Sequence, residues 1–326
     1  MAKFPLFAAG ACCLALALPG GHAADPAAQP WTSPTSRASR LDPSVTLLGP
    51  VRPPAGAVDP WVAQMNHDFK IEPDVVYRTV GGRALTVDLY LRSHPNGPTP
   101  VVYYIHGGAW AHGTKSWELG YMLPWLNLGW DVVSVEYRMT AEAHAPAAVE
   151  DCFWAYHWIG EHAAKYQFDL GRLIVSGASA GGNLALLVGM APASAGFDRG
   201  APGPLPRPEA IVSIAGVTDV VEGLSGPHKT AFTVNWIGGA DLVDLARRVS
   251  PLTYVHPGLP PVFLVHGDAD PTVPYEQALR LQAALTQAGV PNQLLTIPPG
   301  RHGGWRAEDY AKVYATLSEF LTRYNL

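Results

Sequence analysis

One stretch constrains this chain more than any other: Gly177-Ala178-Ser179-Ala180-Gly181-Gly182. It follows the apolar run Leu173-Ile174-Val175 and opens a run of helix formers from Asn183 to Leu187. A G-x-S-x-G sequence between a strand and a helix predicts a tight, strained turn that lifts the serine hydroxyl into an open site. Small residues are needed on either side, because Cβ atoms would collide with the backbone there. A helix beginning at Ala180 would aim its free N–H groups and positive dipole end at the same place. In a chain with 33 glycines the pentapeptide alone is weak. Its weight depends on what the other strand ends carry.

The surrounding pattern predicts a hairpin followed by alternating strands and helices. Val75–Val80 and Ala84–Leu91 are strand-like and joined by Gly81-Gly82. Val101–Ile105, Asp131–Tyr137, Leu173–Val175, Ala210–Ala215, Val262–Val265 and Gln293–Ile297 are short apolar runs suited to buried parallel strands. Helices are expected over Pro146–Tyr166, after Ser179, over Tyr275–Ala288 and over Ala307–Tyr324. The stretch from about 216 to 250 is weakly patterned and is expected to be a short cap excursion. The fold class is therefore α/β, a mostly parallel central sheet with helices on both faces. Sites on such sheets form outside the carboxyl ends of the strands. Four of those ends are chemically distinctive: His106-Gly107-Gly108-Ala109-Trp110, Ser179, His266-Gly267-Asp268-Ala269-Asp270, and Arg301-His302-Gly303.

A serine hydroxyl becomes a nucleophile when a base takes its proton, and an imidazole base needs a carboxylate to fix its tautomer. The chain order expected on this sheet is serine, acid, histidine. His302 is the one histidine past Asp270, which makes it the candidate base. Asp268 and Asp270 compete for the acid. An Asp just after a strand often caps a turn, so that duty falls to Asp268 and the triad position to Asp270, with Asp219 as a weaker third choice. The candidate oxyanion donors are Ala180 and the Gly107, Gly108, Ala109 loop, the amides of Gly108 and Ala109 being favoured. His106 is expected to hold that loop by a local hydrogen bond. Trp110, Trp236 and Trp305 are candidate substrate-pocket walls, as is Trp117, although a Trp more often simply packs in a core. Cys152, in a helical run beside Phe153 and Trp154, suits a buried apolar position. No metal motif and no phosphate-cradling loop is found, so no cofactor is expected.

The four motifs together, with Tyr137-Arg138 and Pro271-Thr272-Val273-Pro274, resemble the α/β-hydrolase superfamily. More narrowly they resemble its esterase branch, related to hormone-sensitive lipase and to bacterial feruloyl/acetyl-xylan esterases. The resemblance covers about residues 72–326. It implies an α/β-hydrolase fold and an acyl-enzyme mechanism, and it places the acid just before the P-x-V-P stretch, at Asp270. Hormone-sensitive-lipase relatives usually read H-G-G-G at the oxyanion loop. Ala109 departs from that and is closer to the feruloyl/acetyl-xylan and kynurenine formamidase relatives.

Composition limits the partners. Charged residues make up 15% of the 326 and the net charge is −5, so nucleic-acid binding is not expected. Residues 1–23 have the pattern of a signal peptide, with Lys3, an apolar run from Phe4 to Leu18, and a small-residue cleavage site after Ala23. Its roughly 15 apolar residues fall short of the ~20 that span a bilayer, so no stable membrane anchor is expected. Loss of Cys12 and Cys13 with the signal would leave Cys152 without an intramolecular disulfide partner. Residues 24–71 are rich in Pro and Ala and expected to be partly disordered. The expectation is an exported serine esterase acting on small-molecule or polysaccharide-linked esters. An arylformamidase-like amide hydrolase and a non-catalytic binding module on the same fold are the alternatives.

Overall fold

The computed structural model describes residues 67–326. The signal-peptide expectation, Cys12, Cys13 and all of the 24–71 segment before residue 67 lie outside the described residues. The chain builds one eight-stranded sheet in the order β1-β2-β4-β3-β5-β6-β7-β8. The hairpin strands β1 (Phe69–Val80) and β2 (Arg83–Arg92) are antiparallel, and β2 pairs antiparallel with β4 (Asp131–Val135). From there to the far edge every pairing is parallel, through β3 (Thr99–Ile105), β5 (Phe168–Ala178), β6 (Ala210–Ile214), β7 (Val262–Gly267) and β8 (Asn292–Ile297). This is the mostly parallel α/β sheet that the pattern of elements implied, and it agrees with the α/β-hydrolase fold that the resemblance implied.

The reason for the parallel centre is visible in the strands. All residues of β4, β6 and β7 are buried, as strands covered on both faces must be. The covering helices are α1 (Leu119–Asn127), α2 (Ala147–Tyr166), α3 (Ala180–Met190), α4 (Ala231–Ile237), α5 (Val243–Arg248), α6 (Tyr275–Gln287) and α7 (Ala307–Arg323). Helix α3 is buried almost all round, whereas α7 buries only the stripe Val313, Leu317, Phe320 and Leu321. Cys152 is fully buried in α2. Arg138 joins α2 to the sheet by a two-pronged ion pair with the buried Asp151, Nε to Oδ2 at 2.7 Å and Nη2 to Oδ1 at 2.9 Å. That pairing explains the arginine of Tyr137-Arg138.

Two elements differ from expectation. Strand β1 begins at Phe69, three residues before the expected domain start at 72, and its first half is largely exposed, so it shows no clean alternation. Helix α1 was not anticipated, because Pro124 lies inside it and a proline argues against a helix interior. Pro124 has no N–H to offer the carbonyl four residues before it, which belongs to exposed Gly120. The weakly patterned stretch of residues 216–250 holds the two short helices α4 and α5 among 3₁₀ turns. No helix of the described residues is long and apolar enough to cross a membrane.

Candidate active site

Parallel pairing puts the carboxyl ends of β3, β5, β7 and β8 on one edge of the sheet, and the candidate residues follow those ends. Ser179, between β5 and α3, has φ 55° and ψ −119°, a strained conformation for a residue with a side chain. The turn is closed so tightly that a methyl group at Gly181 would lie 2.0 Å from Ile105 O. Asn183 anchors α3 behind it, with Nδ2 donating to Val217 O at 2.9 Å and to Val249 O at 3.2 Å.

His302 lies between Ser179 and Asp270. Its Nε2 is 2.7 Å from Ser179 Oγ, and its Nδ1 is 2.7 Å from Asp270 Oδ2. A proton on Nδ1 donates to the carboxylate and leaves Nε2 to accept from the serine hydroxyl. The Asp270 side chain is fully buried, while that of His302 is one-quarter exposed. Burial alone would raise the Asp270 carboxyl, but hydrogen bonds from His266 and His302 outweigh it. They hold the group well below the usual carboxylate range. Its other oxygen accepts from the Thr272 and Val273 amides at 2.8 and 3.1 Å. Asp268 is exposed and accepts from the Gly300 amide at 3.1 Å. Asp219 accepts from the Val221 amide. Neither is hydrogen-bonded to His302.

The oxyanion side corrects one expectation. The Gly107 amide donates to Glu118 Oε2 at 3.1 Å, so it is not free to serve an oxyanion. Among the described residues none accepts from the amides of Gly108, Ala109 or Ala180. Gly108 turns the loop at φ +112°, where a methyl group would meet His112 O at 2.0 Å. Ala109 and Trp110 follow, both at φ 55°. His106 donates from Nδ1 to Gly107 O at 2.6 Å and stacks on Tyr137, so it supports the loop rather than the serine. Burial pushes its imidazole down to about 4.

Comparison with known proteins places this geometry. The family model described as BD-FAE matches residues 87–285, more than half of the chain. The chain belongs to the BD-FAE family. It is similar to esterase LipQ of Mycobacterium tuberculosis, with 30% identity over 68% of this chain and 54% of that protein. It is similar to carboxylesterase NlhH of the same species, with 30% identity over 83% of this chain and 91% of that protein. The chain spans about half the length of the first two curated relatives it matches. Among solved structures, a truncated carbohydrate esterase from gut microbiota superposes with a TM-score of 0.68 at 22% identity, covering 79% of this chain and 97% of that one. At that identity the likeness supports the fold. The sequence relatives are named as esterases and carboxylesterases.

The BD-FAE domain does not use all of its tryptophans as expected. Trp110 and Trp236 are fully buried and stacked on one another, with centroids 3.9 Å apart and planes 2° from parallel. They are core residues joining the oxyanion loop to α4, not pocket walls. Trp305 is nearly buried, donates to Arg301 O at 2.8 Å and packs on Tyr310, while Trp117 is exposed. A cavity of about 600 Å³ opens instead beside Ala109, His112, Thr140, His144, Phe232 and Gly238. Two residues at the site were given no role by the sequence reading. His266, four residues before Asp270 in the same motif, places Nε2 3.2 Å from Asp270 Oδ2. Glu118, an acidic residue in an otherwise apolar stretch, reaches the Gly107 amide.

Proposed function

We propose that this protein is an exported serine esterase that hydrolyses short-chain or aromatic carboxylic esters through an acyl-enzyme. Acetyl and feruloyl groups of plant polysaccharide are its proposed natural targets. Ser179 Oγ attacks the ester carbonyl while His302 Nε2 takes its proton, and Asp270 stabilises the imidazolium that forms. The Ala180 amide, with those of Gly108 and Ala109, receives the oxyanion of the tetrahedral intermediate. His302 then protonates the leaving alcohol. Water, activated by the same imidazole, attacks the acyl-enzyme and regenerates Ser179. Every proton in this sequence moves between protein groups, substrate and water.

The observation that carries the reading is His302 bridging Ser179 and Asp270 at 2.7 Å on each side. The preference for short acyl groups rests on the small size of the excursion between β6 and β7. Export rests on the composition of residues 1–23, and the polysaccharide role on export and on the resemblance. A fluorophosphonate should label Ser179, and a series of p-nitrophenyl esters should be turned over faster as acetate or butyrate than as palmitate. A folded protein that takes no label and cleaves no ester would instead be a binding module. Fractionation of cells expressing the full chain, with sequencing of the mature amino terminus, tests cleavage after Ala23.

A further inference from the structure

Glu118 has no part in the acyl-transfer steps, yet its carboxyl group holds the loop that lies against Ser179. Oε2 accepts from Tyr104 Oη at 2.7 Å and from the Gly107 amide at 3.1 Å. Oε1 has no hydrogen-bond partner among the described residues. A methyl group on Gly107 would lie 3.0 Å from Oε1 and 3.3 Å from Ser179 Cβ. The carboxyl oxygen therefore lies no more than about 6 Å from Ser179 Cβ.

A neutral side chain would pin the loop through Gly107 equally well. Burying a carboxyl is costly unless it is paired, and no cation forms an ion pair with Glu118 among the described residues. Burial accordingly raises its pKa, against the opposing pull of Tyr104, Gly107 and His302. An open acceptor with no protein partner is what a donor on a ligand would satisfy. The position selects which part of the ligand. His302 protonates the leaving alcohol, and Glu118 is close enough to feel the charge of His302. The neighbouring wall is aromatic. A methyl on Gly303 would lie 3.6 Å from Tyr121 Oη, which is 3.5 Å from Tyr310 Oη, and Tyr310 packs on Trp305. The cavity beside Phe232 and Gly238 is lined by Ala109, Ala111 and His112 of the same loop and not by Glu118.

We propose that Glu118 Oε1 accepts a hydrogen bond from a hydroxyl on the alcohol part of the substrate, so that the site selects esters of polyhydroxylated alcohols over simple alkyl esters. This rests on the esterase reading above. The test compares kcat/KM for 2-hydroxyethyl acetate, glyceryl monoacetate, ethyl acetate and acetylcholine, on the unaltered protein and on Glu118→Gln. The amide of Glu118→Gln can still accept from Tyr104 and Gly107, but it presents a donor where Oε1 stood. The expected result is a preference of roughly tenfold or more for the hydroxylated esters over ethyl acetate, falling severalfold in Glu118→Gln. Three results would overturn it: no preference in the unaltered protein, equal loss on all esters in the variant, or acetylcholine as the best substrate, which would mark a cation site. An active, fluorophosphonate-labelled enzyme without the preference sinks this assignment alone. A protein that takes no label and cleaves no ester sinks the esterase reading beneath it.

Discussion

His302 and Asp270 reach Ser179 from the ends of β8 and β7 through hydrogen bonds of 2.7 Å, whereas the Gly107–Trp110 loop reaches it from the end of β3 on a stack of buried rings. The first arm is held by charge. Asp270 accepts hydrogen bonds from His302, Thr272 and Val273 in a buried position, with His266 Nε2 3.2 Å from its Oδ2. The second arm is held by packing, with Trp110 on Trp236 and His106 on Tyr137. The first arm should therefore fail when a charge is removed and the second when a shape is removed. Acid should also act on them differently. Asp270 stays ionised far into acid, but His106 was buried neutral and must resist protonation to stay so.

The largest expected effect lies on the charged arm. Asp270→Asn keeps the size but offers a donor where His302 needs an acceptor, so the imidazole settles in the wrong tautomer. The comparable change in serine proteases costs about 10⁴ in kcat, and a loss of about 10³ or more is expected here. Asp268→Asn, whose carbonyl still accepts from Gly300, should lose less than about tenfold. Steady-state kinetics with matched thermal unfolding checks both. A dead Asp268→Asn and a live Asp270→Asn would move the acid by two residues.

On the packed arm, acid is the sharper probe. The folded-state imidazole of His106 lies near 4 against an ordinary value of 6.5. The unfolded chain therefore takes up the proton first as pH falls. The stability that this group contributes is complete above pH 6.5 and is lost between there and about pH 4, amounting to on the order of 3 kcal/mol. His106→Phe keeps a ring against Tyr137 but cannot titrate. Across that window its unfolding free energy should fall less steeply than that of the unaltered protein. Parallel slopes in denaturant titrations at several pH values would refute the assignment.

Trp236→Leu tests the shape of the same arm without touching the loop itself. It removes the ring under Trp110 and should cost about 2 to 4 kcal/mol of stability. With Ala109 and Trp110 held at positive φ, loosening the stack should also lower kcat roughly tenfold, with little change in KM, because the oxyanion donors act in the transition state. Trp236→Phe should recover most of both. A change in KM alone would mean that Trp236 serves the substrate rather than the loop.

The two arms were not equally legible in the sequence. Ser179, Asp270 and His302 are polar residues at the ends of apolar strands, and a polar residue there has few other reasons to exist. The order of elements was legible because β4, β6 and β7 are short, mostly apolar runs. Nothing local to His-Gly-Gly-Ala-Trp told which amide was free, because Glu118 settles that from eleven residues away. Nor did it tell that Trp110 and Trp236 meet face to face, since that depends on how residues 216–250 return to the sheet. Charge is written in single residues, and packing in pairs that only the fold brings together.

The smallest expected effect falls where the two kinds of support meet. His266 Nε2 lies 3.2 Å from Asp270 Oδ2 and 3.0 Å from Val273 O, and both neighbours are acceptors, so Nε2 carries the proton. The ring is buried and packs edge-on to Tyr275 at 5.8 Å, which makes it a packing residue as well. His266→Phe keeps the ring and removes the donor. If His266 acts on the charge of Asp270, losing that donor makes the carboxylate more basic and steadies the imidazolium of His302. The acid limb of the pH profile of kcat/KM should then move to higher pH by a fraction of a unit, with kcat down about threefold. If His266 only ties down the turn at Val273, thermal unfolding should come at lower temperature while the limb stays where it was. The direction of the limb separates the two: a move to lower pH has no place in either account and would mean that Asp270 is held by something other than the hydrogen bonds named here.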